Sequence, residues 1–246
     1  MASFKSMQKQ KILVTGSAGF MGSHLYDYLF EYCKDRYTIY GVDDLSGGFR
    51  RNISQPKYFT RIDLRNRIKT RDYIAKMKPE IIFHFAADAT EGRSQFTPFS
   101  ALDRNLVSYM NVLIPAIKHG VKKVILISSM SVYGEQQVPF REEMPPAPED
   151  VYGFTKATME GVTRVMASVY GFTYIIIRPH NVYGPRQNFS DPYRNVIGIF
   201  INSLLLGKGF YIYGDGKQRR AFSYIDDITP AIAKAAFKKN CSAFSS

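Results

Sequence analysis

Short, uninterrupted apolar runs alternate with helical stretches along most of this chain, and that alternation constrains the fold more than any other feature. The runs at 12–15, 38–42, 58–62, 81–84, 124–128 and 172–177 read as six strands. Between them, 22–33, 65–77, 106–119 and 152–170 read as helices; the last places Met159, Val162, Met166 and Val169 on one face. Strands buried on both faces lose the in/out alternation of half-exposed ones and become continuous apolar runs. Strand–helix–strand order then predicts an α/β chain, a Rossmann-like doubly wound parallel sheet with right-handed crossovers.

After Arg178 the texture changes. Pro179, Pro185 and Pro192 interrupt the chain, and Asn, Gly and Tyr become frequent. A helix is expected at 196–206, a strand at 210–213 and a last helix at 228–239, capped by Asp226 or Asp227. A length of 246 residues suits one large domain plus part of another. The expected division is a dinucleotide-binding domain at 10–178 and a small, incomplete substrate lobe at 179–246.

The chain carries 33 Lys+Arg against 21 Asp+Glu, a net +12. The basic residues are scattered doublets, such as Arg50-Arg51 and Arg219-Arg220. They do not form a run, and no aromatic–basic interleaving accompanies them, so no nucleic-acid partner is expected. Part of the surplus is expected to serve an anionic small molecule. Two cysteines, Cys33 and Cys241, make no disulfide framework and fit a reducing, cytoplasmic compartment. No secretory leader, membrane span or metal-ligand spacing is expected.

Gly16, Gly19 and Gly22 follow the first strand and open the first helix. Glycine permits the tight turn and lets the backbone approach a pyrophosphate, while the helix N-terminus supplies N–H donors. Asp43 ends the second strand, where a carboxylate accepts from adenosine ribose hydroxyls and repels a 2′-phosphate. That favours NAD; Arg50 and Arg51 keep NADP as a minor alternative.

Tyr152 and Lys156 share a helix face at i, i+4, where an ammonium favours phenolate. The spacing alone is weak, because Tyr213 and Lys217 repeat it. The second pair spans a Gly-Asp-Gly turn, where the helix-face argument fails. Ser128, Ser129 and Ser131 follow the fifth strand, at the carboxyl end where ligands of parallel sheets bind.

Together these motifs resemble the extended short-chain dehydrogenase/reductases, in particular the nucleotide-sugar epimerases and dehydratases. The match runs in order through nearly the whole chain, including Arg178–Pro185 and Gly214–Arg220. The resemblance implies cofactor contacts from Gly16, Ala18, Gly19, Phe20, Met21 and Gly22. It implies others from Asp43, Asp44, Leu45 and Ser46, and from Asp63 and Leu64 beside the adenine. Phe85, Ala86 and Ala87 would pass behind the cofactor, joined by Asn105, Ser128, Tyr152, Lys156 and Pro179. Ser129, Tyr152 and Lys156 match the catalytic set. Ser129, Ser131, Asn181, Asn195, Val196 and Arg220 would bind substrate.

In the resembled dehydratases and decarboxylases a Glu follows the fifth strand; here Met130 and Ser131 stand at its Asp and Glu positions. That is similar to the epimerase type and implies epimerisation of a UDP-glucose or UDP-galactose-like sugar through a 4-keto intermediate. A decarboxylase or dehydratase of the same family is the alternative. So is a truncated chain that binds NAD without turnover, because members of the resembled family run longer. A homodimer is a further expectation. Glu91, Arg93 and His180 depart from the family pattern; Glu91 and Arg93 are expected to pair with each other in an exposed loop, or to tune sugar choice.

Overall fold

The computed structural model describes residues 9–189, 191, 193, 196–212 and 214–237. Its centre is a six-stranded parallel sheet: β1 (Gln10–Thr15), β2 (Tyr37–Asp43), β3 (Phe59–Arg61), β4 (Ile81–His84), β5 (Lys123–Ile127) and β6 (Thr173–Ile177). The order is β3-β2-β1-β4-β5-β6, so the direction of winding reverses between β1 and β4. Such a switch point leaves a crevice beyond the carboxyl ends of the strands.

Alternate residues of the apolar runs feed two cores. Leu13, Val42, Ile82, Val124, Leu126 and Ile176 point to one face. There they meet Ile74 of α2 (Arg67–Met77), Val112 and Leu113 of α5 (Ser108–Lys118), and Met159 of α6 (Val151–Tyr170). Ile12, Val14, Ile39, Phe83, Ile125 and Ile127 point to the other face, against Leu25, Tyr26 and Leu29 of α1 (Phe20–Tyr32).

Four sequence expectations need correcting. The helix expected at 106–119 is preceded by α3 (Glu91–Ser94) and α4 (Pro98–Leu102), and α4 runs through a π-turn at Asp103–Val107 into α5. Proline at the first helical position starts α4, because its missing N–H would have no partner there. Secondly, 210–212 form no strand, and Tyr213 lies outside the described residues. Phe210 stacks on Phe200 of α7 (Val196–Leu205), with ring centroids 4.2 Å apart. Among the described residues of this region, the one strand pairing joins β7 (Val182–Tyr183) to β8 (Ser223–Tyr224). Thirdly, the last helix, α8, runs Ile225–Phe237. Asp226 and Asp227 sit inside its first turn, where acids suit the helix dipole, rather than capping it. Its expected end at Lys238-Lys239 lies outside the described residues. Finally, α8 does not join a separate C-terminal lobe. Ile232, Ala233 and Ala236 pack into the sheet core beside α1, with Ile12 and Phe83.

Candidate active site

A cleft of about 1060 Å³ lies at the switch point, beyond the ends of β1, β4 and β5. The glycine turn forms one wall. Gly16 has φ +69°, and a Cβ there would come within 2.8 Å of the Ala86 amide nitrogen. A Cβ on Gly22 would meet the Gly16 carbonyl at 2.1 Å. Gly19 leads into α1 with no side-chain cap and no acid in the first turn, so the helix start is open to an anion. Gly16, Gly19, Phe20, Met21 and Gly22 all line the cleft.

Asp43 lines the cleft and also holds this turn. Its carboxylate accepts from Ala18 N (3.0 Å) and Leu45 N (2.7 Å). Burial pushes the carboxyl up, partly offset by those two bonds. Ala18 and Leu45 do not line the cleft; they act through their amides. Asp44 accepts from the Ser46 amide (2.8 Å) and hydroxyl (2.6 Å), and both residues line the cleft. Leu64 and Asp63 lie on the adjoining rim, where Arg65 grips Asp63 with three contacts of 2.7–3.1 Å. That grip holds the Asp63 carboxyl below the usual carboxylate range. Arg65 and Arg104 line this end, whereas Arg50 and Arg51 sit on an outer 3₁₀ turn away from the cleft.

Phe85, Ala86 and Ala87 form the floor. Asn105, expected as a cofactor contact, does not line the cleft. It is fully buried, accepts from Asp88 N (2.7 Å) and donates to Thr155 Oγ1 (3.1 Å), so it ties the floor to α6.

The proposed chemistry converges at the other end, where Ser128, Ser129, Tyr152, Lys156 and Pro179 all line the cleft. Asp150 caps α6 by accepting from Gly153 N (2.8 Å). Lys156 is buried one turn after Tyr152, its Nζ 5.7 Å from the Tyr152 ring centre and donating to the Ile127 carbonyl (2.8 Å). Burial pushes the ammonium down to about 8, opposed by Glu160. Ser128 Oγ donates to Glu160 Oε1 (2.6 Å), and Arg178 clasps the same carboxylate at 2.8 and 2.6 Å. Burial pushes Glu160 up, but Arg178, Ser128 and Arg164 outweigh it and hold the carboxyl low. Ser129 Oγ accepts from Ser131 N (3.1 Å) and lies 2.9 Å from Ser131 Oγ.

Of the expected substrate residues, Asn181, Val196 and Arg220 line the cleft, Ser131 lies just behind Ser129, and Asn195 is outside the described residues. Asn181 has φ +36° and donates to the Ala221 carbonyl (2.9 Å). Glu91 and Arg93 do not pair with each other, contrary to expectation. Arg93 binds Asp88 (2.9 Å), and Glu91 accepts from Ser131 Oγ; both line the cleft. His180 is not a cleft residue; it turns its ring towards Phe140, 6.2 Å away. Arg186 also lines the cleft and was not singled out by sequence; its guanidinium reaches Asp27 (2.6 Å). Among the described residues no group of three His, Cys, Asp or Glu could hold a metal ion. None of their helices is long and apolar enough to cross a membrane.

A capless helix start, a turn that tolerates only glycine and a carboxylate at the next strand end together fit a dinucleotide. Comparison with known proteins agrees. A model of the NAD dependent epimerase/dehydratase family matches residues 12–242. The UDP-glucose 4-epimerase of Mycolicibacterium smegmatis is 36% identical over 234 residues, 92% of this chain and 72% of that protein. The UDP-glucose 4-epimerase of Thermotoga maritima, solved with UDP-glucose, superposes with a TM-score of 0.88 at 34% identity, covering 96% of this chain and 76% of that one. The Thermus thermophilus UDP-glucose 4-epimerase, solved with NAD, gives 0.85 at 31% identity, covering 95% and 76%.

Proposed function

Because this chain belongs to the NAD dependent epimerase/dehydratase family, we propose that it inverts the C4 hydroxyl of a UDP-hexose of the glucose/galactose type. The cofactor is NAD, which when bound supplies the hydride acceptor and returns the hydride to the transient 4-keto sugar. Gly16, Gly19 and the start of α1 would hold its diphosphate, and Asp43 its adenosine ribose. Residues 10–178 with α8 form the cofactor-binding unit in this reading, and 179–224 the sugar-nucleotide cover. Arg220 and Asn181 would meet the substrate diphosphate, Arg through a fork that suits phosphate oxygens.

One observation carries the reading: Ser129, Tyr152 and Lys156 share one end of the cleft, and neither residue 130 nor 131 is an acid. Tyr152 takes the proton of the sugar 4-hydroxyl, Ser129 holds that oxygen, and Lys156 places a cation where it stabilises a phenolate. A reversible oxidation needs no further acid, whereas elimination of water does. A second reading, decarboxylation or dehydration, is favoured by the Glu91 carboxylate that reaches Ser131. Mass spectrometry of the product separates them: an epimer keeps its mass, and the other reactions lose carbon dioxide or water. Incubation with UDP-glucose and with UDP-galactose should give interconversion at constant mass. Tyr152→Phe should lower turnover at least about a hundredfold and leave NAD binding intact; undiminished turnover in that variant removes Tyr152 as the base. A reducing, cytoplasmic compartment and a homodimer, with α6 as its contact, belong to the same proposal.

A further inference from the structure

One turn of helix, α3, touches both sides of the proposed chemistry. At its start, the Glu91 carboxylate accepts from Ser131 Oγ, which lies 2.9 Å from Ser129 Oγ. At its end, the buried Ser94 hydroxyl accepts from Tyr152 N (3.1 Å) and donates to the Glu91 carbonyl (2.7 Å). That amide belongs to the first turn of α6, where no intrahelical acceptor exists. A chain of contacts therefore runs from Ser129 through Ser131, the Glu91 carboxylate and backbone carbonyl, and Ser94 to the Tyr152 amide.

Counting protons fixes its polarity. A serine hydroxyl has one proton, and an ionised carboxylate only accepts. Ser131 gives its proton to Glu91, so the proton in the Ser129–Ser131 contact is Ser129's own. The Ser131 amide occupies one Ser129 lone pair (3.1 Å), which leaves the other for the cleft. Without the carboxylate, Ser131 Oγ loses its anchor, and the fixed place of Ser129 Oγ beside it is lost.

We propose that Glu91 is a positioning residue: through Ser131 its carboxylate fixes where Ser129 Oγ sits relative to Tyr152, whose amide the same helical turn holds through Ser94. The proposal rests on the reading in which those two groups act on one sugar hydroxyl. It also explains why an acidic residue stands in a loop facing the cleft without an arginine partner from its own turn, since Arg93 is engaged with Asp88.

The test uses the full chain with NAD, measuring kcat and KM for UDP-glucose and UDP-galactose together with NAD affinity. Misplacing a reacting group by about 1 Å costs up to ~100-fold in rate, so Glu91→Ala should lower kcat by roughly 10–100-fold. KM and NAD affinity should stay within about twofold, because the lost interaction is not a binding one. Glu91→Gln keeps an acceptor oxygen and should recover most of the loss. Because they break the same link, Glu91→Ala and Ser131→Ala should not add: the double variant should be no worse than the worse single one. Ser131→Ala is the smaller change and carries the test alone if Glu91→Ala does not fold. Wild-type kcat in Glu91→Ala, multiplicative losses in the double variant, or an equal loss of NAD affinity would each overturn the proposal. A wild-type chain inactive on both sugars overturns the functional reading and this inference together. An active wild type with unaffected variants overturns this inference alone.

Discussion

Lys156 is the residue whose function and stability conflict most. Its ammonium is buried, and burial pushes its pKa down to about 8 from an ordinary value near 10.5. Below about 8 the folded state carries a poorly solvated charge. Between that value and the ordinary one the unfolded chain binds more protons, so stability rises with pH in that window. Lys156→Met should therefore raise Tm at pH 7, since one pKa unit is about 1.4 kcal/mol and the lost bond to Ile127 is worth only ~1. The advantage should shrink as pH rises through 8 towards 10.5, while turnover is lost throughout; thermal unfolding across that range decides it. Glu160 behaves in the opposite way. Its pKa is depressed, so its contribution is present above the ordinary carboxylate range and fades as acid protonates it. Glu160→Gln should cost about 3–5 kcal/mol, a fall in Tm on the order of 10 °C, because Arg178 is left buried without its carboxylate. Sequence gave no hint of Glu160, since one acid in a helix is unremarkable until the fold sets Arg178 against it. It did show Ser129, Tyr152 and Lys156, whose types and order are set by chemistry rather than by packing. Asn105 was not legible in the same way: its amide has hydrogen-bonding power, and only the fold reveals that Asp88 and Thr155 engage it.

At the scale of elements, β1, β2, β4, β5, β6, α1, α2 and α6 were legible to within one or two residues, because continuous apolar runs and helical spacing report burial directly. The glycine turn was legible because its reason is steric. Gly16→Ala would add a Cβ at φ +69° within 3 Å of two backbone atoms of the β4 exit, Phe85 C and Ala86 N. The expected result is a loss of at least ~1 kcal/mol in stability and a weakened NAD affinity, read by thermal unfolding with and without NAD. Where burial came from a distant partner, the signal failed. The run at 210–213 reads as a strand in sequence, but 210–212 pair with no strand among the described residues. The packing of α8 on the sheet was not legible, because α8 is amphipathic and periodicity alone cannot say which surface it covers; the β1 and β4 side chains do. The π-turn at Asp103–Val107 has no periodic signature either, although Arg104 within it reaches Ser46 across the end of the cleft lined by Asp43 and Asp44 (2.9 Å).

For the whole molecule, the +12 charge does not collect in the cleft. Lys156, Arg65, Arg93, Arg104, Arg186 and Arg220 line it, but so do Asp43, Asp44, Asp63, Asp88, Glu91 and Asp191. The surplus therefore lies elsewhere, and in the proposed reading the substrate diphosphate would be met by individual guanidinium groups rather than by a net field. A different surface feature bears on assembly. The face of α6 opposite Tyr152, Lys156 and Met159 exposes Phe154, Val165 and Val169, each more than half accessible, so Val169 does not share the core face expected for it with Met159. Positions 154, 158, 161, 165 and 169 follow helical spacing and form one stripe. Gly161, at its centre, has nothing within 4 Å of a built Cβ, so another helix could approach closely. A stripe that exposes three large apolar side chains is costly to leave in water, which makes it the contact for the proposed homodimer. A second copy of the same helix fits it, since a two-fold axis presents the same patch from both sides. Val165→Glu should then convert a dimer to a monomer by light scattering. Val165 lies outside both sheet cores, so the fold of each chain should change by no more than ~0.5 kcal/mol. NAD affinity should hold, because every cofactor contact proposed above comes from one chain. A monomeric wild type, or a Val165→Glu variant that remains dimeric, would move the interface off α6.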